Sequence, residues 1–262
     1  MTETIRFEIE GAIATITLNR PERMNAFTWE MIDAWAAALD ACGRNDAVSV
    51  VIVTGAGKAF CSGGDIAEMQ RRHEHTPWDR KRELQAHVHK IPLALQALDK
   101  PVITAINGAA TGAGMDLALM SDLRIAAESA RLGETYVRVG LVPGAGGAWF
   151  LPRLVGTAKA LELFWTGDII DAREAERIGL VNKVVPDAEL MTATRALAEK
   201  IARGPQLSVR FIKRAVYAGL QSDLRGALDM ISSHYAVASS SADHREAVAA
   251  YLEKRKPNFT GR

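Results

Sequence analysis

An aspartate stands inside an otherwise apolar run, "INGAATGAGMDLALMSD", residues 106–122. A carboxylate is costly to bury in such surroundings. If desolvated, Asp116 gains a raised pKa and becomes a better general base. Capping a helix or pairing with Arg124 are the plainer roles open to it. The residues before it read as a strand ("PVITAI"), a loop of small residues and a helix starting near Gly114. Backbone N–H groups at such a helix start lack intrahelical partners and carry the positive end of the helix dipole, so they stabilise an oxygen that becomes negative. Gly114 suits that task because it has no Cβ to hold a carbonyl away. A second stretch, "VSVVIVTGAGKAFCSGGDI" (48–66), repeats the pattern, with Ser62 and Gly63 approaching a helix expected from Asp65. Two strand-end loops can each supply one N–H to a single oxyanion. Close packing through small residues is the competing account of either loop alone, and the recurrence after two apolar runs favours chemistry.

These glycines do not spell a nucleotide loop. From Gly112 the chain reads G-A-G-M-D-L and lacks the third glycine of a dinucleotide fingerprint. The Gly57-Lys58 pair has Ile52 where a phosphate loop needs its earlier glycine, and "GAGG" at 144–147 follows no recognisable strand.

The elements that must position these loops are legible in the hydrophobic pattern. "IRFEIEGAIATITLNR" alternates around Glu10-Gly11 as a hairpin does. "NAFTWEMIDAWAAALDAC" changes to helical spacing with Thr28 as N-cap. "VSVVIVTG" and "KPVITAING" are continuous apolar runs of strand length, with "DLRIAA" a weaker third, and helical stretches at 79–98 and 114–120 lie between them. Strands separated by helices predict a mostly parallel, helix-covered sheet. After Pro186 only helical segments follow, so we divide the chain into a body at 1–200 and a helical C-terminal module at 201–262.

The 262 residues are 48% hydrophobic and 24% charged, ordinary for a globular chain. A net charge of +1 offers no field to recruit nucleic acid or an anionic membrane. Cys42 and Cys61 make neither a disulfide framework nor the paired spacing of a zinc site. With a charged N-terminus and no apolar stretch near the roughly 18 residues needed to cross a bilayer, a cytoplasmic protein is expected.

The segments "LNRPERMNAF", "VIVTGAGKAFCSGGDIAEM", "KPVITAINGAATGAGMDLALMSDLRIA", "GLVPGAGGAWFLPRLVG", "LFWTGDIIDAREAERIGLVNKVV" and "YLEKRKPNF", in this order, resemble the enoyl-CoA hydratase/isomerase (crotonase) superfamily. The resemblance spans almost the whole chain. It implies a crotonase-like α/β spiral of repeated β-β-α units with a C-terminal helical trimerisation module, assembled as a homotrimer or a hexamer of two trimers. It also implies an acyl-CoA thioester substrate whose coenzyme A is part of the substrate, with no further cofactor or metal. By position it places the oxyanion hole at the backbone N–H groups of Ser62 and Gly114. Arg23, Met24, Ala26, Ala59, Asp65 and Ile66 match the CoA groove, and Tyr251 and Lys254 resemble residues reaching a neighbouring subunit's CoA.

The chain departs from the family where hydratases use two glutamates. The first falls on Asp116, one methylene shorter. The second falls on Tyr136, within "LGETYVRVG", and a phenol with a reference pKa near 10 is a poor base that can still donate a hydrogen bond or a proton. Tyr136 could equally be a wall of the acyl pocket. Glu134 is a possible replacement, because an extended 134–136 would aim it to the same side as Tyr136; the alternative is an ordinary surface acid. After the proline of "GLVP", where some isomerases and hydrolases carry aspartate, this chain has Gly144. His73 and His75, flanking Glu74, are a conceivable metal pair, though a solvated face explains them as well.

The expectation is therefore an acyl-CoA enzyme stabilising a thioester enolate, a hydratase or isomerase with Asp116 as general base and acid. Hydrolysis or decarboxylation within the same superfamily is the runner-up. A serine hydrolase built on Ser62 has Phe60 where a nucleophile elbow needs glycine, and RNA binding finds no support in the balanced charge.

Overall fold

The computed structural model describes residues 4–71 and 74–261. Its strands are β1 (Ile5–Glu10), β2 (Ile13–Leu18), β3 (Val50–Gly55), β4 (Ala59–Cys61), β5 (Val102–Ile106), β6 (Ala109–Thr111), β7 (Leu123–Ala127), β8 (Arg131–Gly133), β9 (Ile169–Asp171) and β10 (Lys183–Val185). The helices of the body are α1 (Trp29–Arg44), α2 (Ile66–Arg71), α3 (Pro77–Glu83), α4 (Lys90–Ala97), α5 (Ala113–Leu119), α6 (Gly147–Val155), α7 (Thr157–Thr166), α8 (Ala172–Arg177) and α9 (Leu190–Ala202). Helices α10 (Gln206–Gly219), α11 (Leu224–Ser239) and α12 (Ala242–Leu252) close the chain.

The large sheet runs β1-β2-β3-β5-β7-β10 and the small one β4-β6-β8-β9. Beyond the antiparallel β1–β2 hairpin, the large sheet is parallel throughout. The pairs β3/β4, β5/β6 and β7/β8 each give their first strand to the large sheet and their second to the small one. This repetition is the β-β-α spiral expected from the sequence.

The apolar run of β3 is explained by burial on both faces. Val51 and Val53 enter the core that holds Trp35 and Leu39 of α1, whereas Val50 and Ile52 pack with Leu190 and Ala198 of α9. Helix α9 therefore belongs with the body. Thr28 caps α1 as anticipated, its hydroxyl oxygen accepting from the Met31 N–H at 3.3 Å. By contrast, α10 and α11 bury no residue fully. No helix of the described residues is long and apolar enough to cross a membrane.

Residues 134–136 correct one expectation. They are not extended: Thr135–Val139 form a 3-10 turn behind Glu134. Glu134 nevertheless turns inward and is completely buried, so it is no surface acid.

Candidate active site

Each repeated unit ends its short strand beside the next one, and the site forms where two such ends meet. Cys61 closes β4, and Gly112 precedes α5 with φ 52°, a left-handed turn that glycine adopts without strain. A methyl group at Gly114 would overlap the Cys61 carbonyl oxygen, so this position admits no side chain. One at Gly63 would lie 3.5 Å from the Ala113 nitrogen and 3.8 Å from that of Gly114. The two small-residue loops are therefore in backbone contact, as close packing and a shared oxyanion site both require.

Of the two donors read by position, Gly114 stays open and Ser62 does not. The Ser62 N–H donates to the Met24 carbonyl at 3.0 Å, which removes it from any oxyanion hole. Phe27 pairs in parallel with Gly64: Phe27 N–H donates to Gly63 O and Asp65 N–H to Phe27 O. Because successive N–H groups of an extended segment alternate sides, the Gly64 N–H points away from Phe27, and it forms no hydrogen bond among the described residues. On α5 the first intrahelical donors are Met115 and Asp116, both to Gly112 O, which leaves the Ala113 and Gly114 amides open. Ser62 lies two residues before Gly64, and no feature of the sequence distinguishes the two amides, since only the Phe27 and Met24 pairings assign them.

Asp116 sits one turn into α5 and is fully buried. Its Oδ2 accepts from the Tyr136 hydroxyl at 2.7 Å and from the Ala145 N–H at 3.1 Å. Its Oδ1 is buried without a hydrogen-bond partner among the described residues. Burial raises the Asp116 pKa, against the opposing effects of the Tyr136 hydroxyl, Glu134 and the Gly147 and Ala145 amides. Burial, and then the neighbouring Asp116, push the Tyr136 phenol well above its ordinary value, so it is a donor and not a base. Burial and Asp116 also raise Glu134. Arg124 takes no part: its guanidinium donates to the carbonyls of Leu180, Leu119 and Ser121.

Six of the eight positions matched to a CoA groove are gathered along one edge. The Arg20 guanidinium bridges the Ala26 carbonyl and the Asp65 carboxylate, the latter at 3.0 Å. Asn25 donates to the carbonyls of Ala56 and Ala59 at 2.9 and 2.8 Å. Arg23 and Met24 are exposed beside them, Met24 with φ 50°. Ile66 begins α2, but its side chain lies outside the described residues. Tyr251, 84% exposed, and Lys254 are elsewhere, at the end of α12, which packs on α11.

Ser62 has no histidine on its hydroxyl among the described residues; His89 Nε2 contacts Gly144 O at 3.0 Å, and His87 faces Asp33. His75 pairs with Glu83 at 2.7 Å, and His73 lies outside the described residues. Among the described residues no cluster of three or more His, Cys, Asp or Glu side chains is placed to hold a metal.

Comparison with known proteins agrees with this geometry. The sequence model of the enoyl-CoA hydratase/isomerase family matches residues 8–262. The chain is 40% identical to the crotonyl-CoA hydratase of Syntrophomonas wolfei, over 98% of each protein. It is 37% identical to the 1,2-epoxyphenylacetyl-CoA isomerase of Escherichia coli K12, over the full length of both. The crystal structure of the enoyl-CoA hydratase from Bacillus anthracis superposes with a TM-score of 0.91 at 37% identity, covering 99% of this chain and all of that one. With a site built from the ends of two β-β-α units and likeness along its whole length, this chain belongs to the enoyl-CoA hydratase/isomerase family and has the crotonase fold.

Proposed function

We propose that this protein is an enoyl-CoA isomerase that moves one proton along the acyl chain, with Asp116 as both base and acid. One observation carries the reading: Asp116 holds one carboxylate oxygen fixed by Tyr136 and Ala145 while the other is buried without a hydrogen-bond donor among the described residues. In this reading the thioester oxygen accepts from the Gly64 amide and the helix-start amides of Ala113 and Gly114. Asp116 Oδ1 takes the Cα proton of a β,γ-unsaturated thioester, and the electron pair spreads onto the thioester oxygen. The amides stabilise that charge by roughly 3 kcal/mol each, by analogy with other oxyanion holes. The same carboxyl then returns the proton to Cγ, and the double bond shifts into conjugation with the carbonyl. A single carboxylate is enough for this transfer, which suits a site whose second family glutamate is a tyrosine.

Hydration is the second reading, favoured by the likeness to the crotonyl-CoA hydratase. Here Asp116 takes a proton from water while the Tyr136 oxygen orients it. In both readings the coenzyme A of the substrate is the only coenzyme, and it lies along Arg23–Ala26 and Ala59–Ile66. The exposed apolar residues of α10 and α11 support assembly as a homotrimer or a hexamer of two trimers, which would bring Tyr251 and Lys254 to a neighbouring subunit's groove.

A screen of straight-chain, branched, cyclic and aromatic acyl-CoAs in deuterated water separates the readings. Deuterium uptake with a moved double bond and no net addition supports isomerisation. A gain of one water supports hydration, release of free CoA supports hydrolysis, and loss of carbon dioxide supports decarboxylation.

A further inference from the structure

Glu134 is the one acid of the site with no assigned task. It precedes the 3-10 turn that carries Tyr136, is completely buried, and neither Oε1 nor Oε2 has a hydrogen-bond partner among the described residues. Asp116 Oδ1 is in the same position. These orphaned oxygens converge on Gly147, the first residue of α6. A methyl group there would overlap Asp116 Oδ1 and lie 3.2 Å from Glu134 Oε1. The two oxygens are consequently within about 5 Å of each other, a range over which carboxylates strongly affect one another's charge.

Buried acceptors left without donors are rare and call for a proton, a water or an ion. Two carboxylates so close, in an apolar enclosure, cannot both be ionised at modest cost, whereas one shared proton satisfies both, directly or through one water. We infer that Glu134 is the proton-bearing half of a carboxyl pair with Asp116, a positioning residue that holds the catalytic carboxylate ready and keeps a second negative charge out of the site. The charged group facing Glu134 is Asp116 on α5, and Tyr136 faces Asp116 from the 3-10 turn. Burial and the Asp116 charge both oppose ionisation of Glu134. The catalytic consequence rests on the enolate reading above: the active form carries one proton on the pair, so activity falls at low pH when Asp116 is protonated and at high pH when Glu134 ionises.

Infrared spectroscopy of the ligand-free protein tests the pair without any substrate. At about pH 7 the carbonyl stretch of a protonated carboxylic acid is expected, lost in Glu134→Gln and retained in Asp116→Asn, where its disappearance moves to lower pH because the repelling charge is gone. A wild-type spectrum without that stretch, or one unchanged by Glu134→Gln, overturns the inference. The second arm is the pH–rate profile on the acyl-CoA found by the screen. Glu134→Gln, which keeps an N–H donor, is expected to retain activity within about tenfold and to lose the alkaline limb while keeping the acidic one. An alkaline limb left in place overturns the catalytic consequence. Failure to turn over any acyl-CoA counts against the proposed function and leaves the infrared result to decide the pair.

Discussion

The carboxyl site and the C-terminal helices are incomplete in different ways. Around Asp116 the packing is closed and polar atoms lack partners: Asp116 Oδ1 and both oxygens of Glu134 are buried without a hydrogen-bond donor among the described residues. On α10 and α11 it is mainly apolar side chains that lack cover, although Arg210 Nε on α10 and His234 Nδ1 on α11 are also buried without a hydrogen-bond partner among the described residues. Ile212 and Val216 on α10 and Leu220 just past its end follow one another at helical spacing, as do Leu224, Leu228, Ile231 and Tyr235 on α11, and all are exposed. An unsatisfied polar atom in a core calls for a proton, a water or a ligand, whereas an uncovered apolar row marks where another surface belongs. The same family fold thus carries a chemical gap in one region and a packing gap in the other.

Breaking the chemical gap should have the largest effect. Asp116→Asn keeps the shape of the side chain and removes the base, so turnover of the screened substrate should drop roughly a thousandfold with an unchanged oligomeric mass. Next is Gly147→Ala, whose methyl group displaces Asp116 Oδ1. A loss of roughly a hundredfold in kcat is expected from misplacing the base, along with a destabilisation of about 1–3 kcal/mol in denaturant titration.

The packing gap is probed by Leu228→Glu on α11. Light scattering should show a smaller assembly than the wild type, while the far-ultraviolet spectrum stays the same because this side chain is 55% exposed within the chain. A wild type that is monomeric at micromolar concentration would remove the reason for the exposed row. Tyr136→Phe sharpens the other side of the comparison. Losing one hydrogen bond to a charged group should lower kcat about tenfold. Since the hydroxyl holds the Asp116 pKa down, its removal should move the acidic limb to higher pH. The smallest effect, under about twofold, is expected for Ser62→Ala, because neither its hydroxyl nor its committed N–H has a role in the proposed chemistry.

The parallel sheet and its helices were legible because apolar runs such as "VSVVIVTG" have one economical explanation, burial between two helical layers. Asp116 was legible for a related reason, since an acid within "GAGMDLALM" contradicts its surroundings. Glu134 was not. In "LGETYVRVG" it stands between Leu132-Gly133 and Thr135-Tyr136, a mixed setting in which nothing local separates a surface acid from a buried one, and an extended backbone is the natural premise that the structure corrects. Within "CSGGD" the sequence points to Ser62, whose N–H the fold commits to Met24, because backbone amides carry no side-chain signature and the choice among them depends on which neighbour accepts from each.

Periodicity therefore determined a mostly parallel, helix-covered sheet and a carboxylate beside a helix start, and the ordered motifs carried the resemblance that implied the family and its spiral of β-β-α units, since each depends on local pattern summed along the chain. Tertiary structure alone decided which amides remain free, that Glu134 stands against Asp116, and which helices bury no residue fully. Those outcomes depend on contacts between Met24 and Ser62, Phe27 and Gly64, or Gly147 and two carboxyls, residues that no sequence spacing brings together.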